Sequence, residues 1–198
     1  MSNVNMKAES PYHHGDLRHA LVEAGLGLLA RDGQGGLGLR EVARAVGVSP
    51  SAPYRHFKNR TALLAAVATE GFRRFGADLK KAARGVPVER HLLEQGRAYV
   101  RFALTHPALF RLMFSPEVKR SEHPALKESA DTAFFSLEAL AASANPQDPH
   151  ATALAAWSLV HGLAQLLLDD QINRRPGQSD DALIGAVTGA FMAGLGHR

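Results

Sequence analysis

The chain has 198 residues, 45% apolar and 21% charged, with a formal charge of +4; this is an ordinary folded protein's make-up and excludes a chain too polar to bury a core. It contains no cysteine, so disulfide frameworks, thiolate metal sites and cysteine nucleophiles are excluded together. Residues 1–11 carry no apolar stretch of the signal-peptide kind, and no later apolar run is expected to reach membrane-spanning length, so the expectation is a cytoplasmic protein without a membrane partner.

No segment alternates with period two over a strand length, whereas apolar residues recur at helical spacing throughout, which predicts an all-α fold. A first helix is expected from near Asp16, a good N-cap, with Leu17, Ala20, Leu21, Ala24 and Leu28 on one face, stopped by the glycines at 33, 35 and 36. A second, over 39–46, buries Leu39, Val42, Ala43 and Val46 and leaves Arg40, Glu41 and Arg44 outside. Gly47 ends it, because the residue past a helix favours φ > 0 and glycine adopts that without steric cost. Ser49 is a natural cap for the next helix, with Pro50 at its first position. A long helix over 60–84, capped by Asn59, carries Leu63, Leu64, Val67, Phe72, Phe75 and Leu79 inward. The segment 85–87 ends it and sets the expected domain boundary, with further helices near 88–105, 107–114, 124–143, 149–172 and 180–195.

Two short helices joined by about three residues, with small Ala43 at their crossing, Gly47 at the turn and Val48 between them, read as a helix-turn-helix. A helical corner inside a bundle has the same spacing, so charge is the second observation. From 39 to 60 there are five cations, Arg40, Arg44, Arg55, Lys58 and Arg60, against one acid, Glu41. Such a unit lays its second helix in the major groove of double-stranded DNA. Arginine pairs bidentately with guanine, which makes Arg40 and Arg55 candidates for base contact alongside Ser51, Ala52 and Tyr54, each otherwise an exposed surface residue.

The run Tyr54, Arg55, His56, Phe57, Lys58, Asn59, Arg60, Thr61, Ala62, Leu63, Leu64 closely resembles the signature of TetR-family transcriptional regulators, over roughly residues 12–66. The resemblance implies a recognition helix around 50–57 that presents Ser49, Pro50, Ser51, Ala52, Tyr54, Arg55, His56 and Lys58 to DNA. It also implies phosphate contacts by Tyr54 and His56, and by Arg60, where the family more often has lysine. Two departures stand out: Gly38, where the family has a capping Thr or Ser, and Pro53, which removes a backbone hydrogen bond from a short helix. Tyr12, His13 and His14 either reach the DNA backbone or form a polar tail; the adjacent histidines are poorly spaced to share a metal.

In the second half, Trp157, His161 and Gly162, with the segment 105–114, resemble the WHG-type C-terminal domain of one TetR branch. Trp157, His161 and Gln165 share a stripe at i, i+4 and i+8. That stripe is either a satisfied core histidine beside a core tryptophan or the polar corner of an effector pocket walled by Tyr99, Phe102, His106, Phe110, Met113, Phe114, Phe134 and Phe135. Arg97 and Arg101, one turn apart, could salt-bridge, face water or meet an anionic effector. The last helix carries Gly185 and Gly189 among Ile184, Val187, Phe191 and Leu195, a pattern that serves interior packing or, as the family implies, a four-helix dimer interface.

The expected architecture is therefore a helix-turn-helix domain over 12–60, a connecting helix over 60–84, and a ligand-binding and dimerisation domain over 85–198. The expected function is a homodimeric, sequence-specific repressor released from a near-palindromic operator by a small apolar effector, with no cofactor, no metal and no catalytic residues. No esterase, zinc-protease, P-loop or dinucleotide signature is present. A helical carrier or scaffold that does not bind DNA is the alternative, with a helical enzyme behind it; a gel shift against genomic fragments separates them.

Overall fold

The computed structural model describes residues 14–195, so Tyr12 and His13 lie outside the described residues. Those residues form eight α-helices linked by turns and short 3-10 segments, with no strand among them. The helices are α1 His14–Asp32, α2 Leu39–Val46, α3 Arg60–Ala82, α4 His91–Thr105, α5 Pro107–Met113, α6 Pro124–Ala144, α7 Pro149–Leu168 and α8 Asp180–Leu195.

Helix α3 is the axis of the molecule, about 35 Å long at ~1.5 Å per residue. Asn59 caps it, its Oδ1 accepting from the Ala62 N–H at 2.9 Å. Its first half buries Leu63, Leu64 and Val67 against α1, and its second half buries Phe72 and Phe75 against α4 and α6. Two glycines allow the close crossings. A Cβ on Gly25 would stand 2.9 Å from Val67, and one on Gly71 would stand 2.9 Å from both Leu109 and Met113 of α5. The buried side chains form one continuous cluster from Leu21 to Ile184, so packing is unbroken from α1 to α8.

Helix α2 ends as its glycine dictates. Gly47 is left-handed at φ 77°, its N–H donates to the Arg44 carbonyl, and the Val48 N–H reaches back to the Ala43 carbonyl at 3.0 Å.

The segment after it departs from the expected helix over 50–57. It is a 3-10 turn, Ala52–Arg55, closed by three-residue bonds such as Ala52 N–H to Ser49 C=O (3.0 Å) and His56 N–H to Pro53 C=O (2.9 Å). Proline explains the difference: neither Pro50 nor Pro53 has an N–H to enter an α-helical ladder, so this stretch has too few donors for one.

Helix α7 also differs, ending at Leu168 and not at 172. Asp170 turns left-handed (φ 51°) and the Gln171 N–H closes onto the Leu166 carbonyl at 2.8 Å, the same kind of stop that Gly47 makes. With no Lys, Arg, Asp or Glu in its 20 residues, α7 is long and apolar enough to cross a membrane, contrary to the sequence expectation that no run reaches that length. Here it packs between α4 and α6.

Candidate nucleic-acid interface and ligand pocket

Around the α2 turn, Arg40, Ser49, Pro50, Ser51, Tyr54, Arg55 and Lys58 are all exposed, while Ala52 and His56 are half-buried. Tyr54 leaves 53% of its surface open. Beneath them, buried Val42, Ala43, Pro53 and Phe57 tie the turn to the core. Arg40, Arg55 and Lys58 have no carboxylate partner among the described residues, unlike Arg73, Arg74, Arg101 and Arg111 elsewhere on the surface. Arg44 has only a distant one, Glu41 at 3.9 Å. An exposed, unneutralised cation cluster beside a protruding tyrosine suits a polyanion. The Ser49 and Ser51 hydroxyls lie 3.1 Å apart, so each is half-occupied by the other. The Nε2 atom of His56 is buried without a partner.

Arg60, unlike these cations, is already engaged within the chain. Its Nε donates to the Leu37 carbonyl (2.9 Å), one terminal nitrogen to the Gln34 carbonyl (2.6 Å), and the other pairs with Glu117 of the α5–α6 loop. The fork closes the entry to α2 and joins it to the second half of the chain. At Gly38, which cannot offer a capping side chain, the Glu41 carboxylate fills the space a Cβ would need. Sequence reasoning passed over Arg18, whose guanidinium lies 5.4 Å over the Phe57 ring. Nothing in the α1 periodicity separates it from other outward residues.

The second half holds a cavity of about 320 Å³ between α3, α4, α6, α7 and α8, at the lower end of the ~300–1,000 Å³ usual for small-ligand sites. Of the residues named from the sequence, Tyr99, Phe114, Phe134, Phe135 and Trp157 line it. Phe102, His106, Phe110, Met113, His161 and Gln165 do not. Phe110 is fully enclosed behind the wall, Met113 packs at the α3–α5 crossing, Phe102 sits between Phe75 and His106, and His106 is exposed. The lining also includes Phe72, Phe75 and Arg120, which the sequence did not mark as pocket residues. Arg97 and Arg101 face other groups: Arg97 pairs with Glu94 at 3.2 Å and Arg101 with Asp181 of α8 at 2.7 Å.

His161 stands behind the wall in a hydrogen-bonded chain. The Trp157 indole N–H donates to the Tyr99 hydroxyl oxygen (3.1 Å), and that hydroxyl lies 2.8 Å from His161 Nδ1. Burial pushes the Tyr99 pKa well up, so its proton stays in place, while burial and then the Arg120 charge lower that of His161. A neutral His161 with Nδ1 accepting from Tyr99 completes the chain.

Above the unfolded value of 6.5 both states hold a neutral imidazole and the full stability is present. As pH falls the unfolded chain takes up the proton first, so stability is lost. The melting temperature is expected to drop more between pH 7.5 and 5.5 for the natural chain than for His161→Gln, which keeps an acceptor for Tyr99 but does not titrate. Parallel melting curves would contradict this.

Residues 21–67 match the family model described as bacterial regulatory proteins, tetR family, and residues 92–190 the one described as tetracyclin repressor-like, C-terminal domain. A solved structure of a protein of unknown function from Rhodococcus sp. RHA1 is similar at 32% identity and TM-score 0.78, with 94% of this chain and 98% of that one covered. The fatty acid degradation regulator FadR from Bacillus halodurans shares the fold at 18% identity and TM-score 0.65, covering 97% of this chain and 100% of that one. So does the TetR family transcriptional regulator PfmR from Thermus thermophilus, at 17% identity and TM-score 0.61 over 87% and 97%. No curated protein matches the chain. With an exposed basic cluster around the α2 turn in the first half and both halves matched by the family's models, the chain belongs to the TetR family and is a DNA-binding transcriptional regulator.

Proposed function

We propose that this regulator is a cytoplasmic homodimer that represses from a near-palindromic operator and is released when a small, largely apolar molecule enters the cavity between α3, α4, α6, α7 and α8. Residues 12–60 serve as the reading unit, α3 as the connection and residues 85–198 as the effector and dimer unit. The observation that carries the reading is the exposed set Arg40, Tyr54, Arg55 and Lys58 around the α2 turn, whose three cations have no carboxylate partner among the described residues. Trp157, His161 and Gly162 support a WHG-type effector domain. Two reading heads related by a two-fold axis would meet half-sites whose centres lie about 34 Å apart or more. Because α3 shares one core with both units, a ligand that alters packing at Phe72 or Phe75 can tilt the reading head through it. By linkage, such a ligand binds the DNA complex more weakly by the same factor as it weakens DNA binding.

Arg40→Ala tests base reading. It is expected to lose about 1–3 kcal/mol on the specific duplex and to relax preference at one base pair per half-site, with a much smaller loss on random DNA. Fluorescence anisotropy on the two duplexes measures both, and equal losses would remove Arg40 from base reading.

A further inference from the structure

Nearly every polar side chain lining the cavity is already satisfied by the protein. Tyr99 bonds His161 and Trp157, Asp131 pairs with Lys127, His150 lies 2.9 Å from Glu138, and Thr188 donates to the Ile184 carbonyl at 2.7 Å. Among the described residues, Gln95 and Arg120 are the exceptions, and only Arg120 is charged. Arg120 comes from the loop 115–123 between α5 and α6. Its guanidinium rests 5.3 Å over the Phe72 ring and 5.7 Å over the Phe114 ring, both cavity-lining. Aromatic faces hold a guanidinium but do not neutralise it. Half-buried beside an apolar space and without a counter-ion, this group is matched best by a carboxylate, which takes two parallel N–H···O bonds from the planar fork.

The geometry points to an amphipathic monocarboxylate as the ligand of this cavity, its apolar body among Phe75, Phe134 and Phe191 and its acid group on Arg120, with the Arg120 loop passing its arrival to the reading unit through Glu117. This rests on the cavity being the effector site. The second part follows from what the loop holds: three residues before Arg120, Glu117 pairs with Arg60 and with the Gln34 side chain, and Arg60 in turn holds the Gln34 and Leu37 carbonyls at the entry to α2. Drawing Arg120 toward an acid shifts the loop and loosens that grip.

Trp157 is the chain's only tryptophan and lines the cavity, so its emission reports occupancy. Full-length protein is titrated with octanoate, decanoate and 4-phenylbutyrate, each against the alcohol of the same skeleton. Each acid is expected to bind at least about tenfold more tightly than its alcohol. Arg120→Gln removes that difference, the acid losing far more affinity than its alcohol. Arg120→Lys keeps the charge and part of the preference, and it decides the matter if thermal melts show Arg120→Gln unfolded. Equal binding of acid and alcohol, or an acid preference that survives in Arg120→Gln, overturns the acid assignment and leaves the cavity as a site for a neutral effector. No response to any probe overturns the effector site along with it. Hydrogen exchange of amides 34–41 is expected to quicken at saturating decanoate in the natural chain and to be fast and unresponsive in Glu117→Gln. Exchange that decanoate leaves unchanged in the natural chain overturns the part given to the loop.

Discussion

The Gly162→Glu variant is expected to sediment as a monomer and to lose at least about a hundredfold in affinity for a duplex with two half-sites, the scale on which linking two modest sites raises avidity. Within one subunit the substitution is undemanding: a Cβ at Gly162 meets nothing within 4 Å, and glycine is a poor helix former that glutamate improves on. The same holds of Gly189 on α8, so Gly189→Glu should act alike. The expected harm comes from what covers these positions in our reading. Helix α7 carries no charged residue and exposes Leu154, Ala155, Ser158 and Leu166, and α8 beyond its first turn is uncharged and exposes Ala182, Ala186 and Ala190. Two such faces pack as a four-helix bundle, and a buried glutamate without a partner is costly there. Dimers that persist with intact operator binding in both variants would place the interface elsewhere.

Phe110→Ala is expected to cost about 3–5 kcal/mol of folding stability, a large share of the ~5–15 kcal/mol that holds a domain folded. Phe110 is fully buried, with ring centroids 4.9 Å from Phe114, 5.4 Å from His161 and 5.8 Å from Tyr99. Removing it leaves a void directly behind the cavity wall. Because it does not line the cavity, the loss should show first in urea midpoint and melting temperature, in the absence of any ligand. A midpoint within about 1 kcal/mol of the natural chain would mean that the site relaxes to fill the space.

Much of the architecture is legible because a helix announces itself in its spacing. Leu39, Val42 and Ala43 fall on one face and are buried, and the Gly47 stop is made by the conformation that only glycine adopts freely. Where donors are missing the spacing misleads. Prolines at 50 and 53 turn an expected recognition helix into a 3-10 segment, and the proline chemistry was visible although its outcome was not. The exposed half of the basic cluster reads directly from residue type, since a solvated cation needs no partner to stay where it is.

The cavity was less legible. Its wall is assembled from parts of five helices and a loop, so aromatic density between Tyr99 and Phe114 could not separate wall from core, and the fold buries Phe102 and Phe110 in the core. Arg60 and Arg120 show the same limit for charges. Neither has a local pattern that says whether it faces water, carbonyls or a ring, and both are fixed by contacts with residues tens of positions away. Long-range partners of this kind are set by the fold, not by neighbours in the chain.

The most direct test of the account is selection of bound duplexes from a random pool by the full-length protein at physiological salt. A near-palindromic site bound at least about a thousandfold more tightly than random duplex is expected to be recovered, with recovery abolished in an Arg40→Ala, Tyr54→Ala, Arg55→Ala variant that melts like the natural chain. A pool that shows no enrichment after repeated rounds, or one enriched equally by that variant, would contradict it.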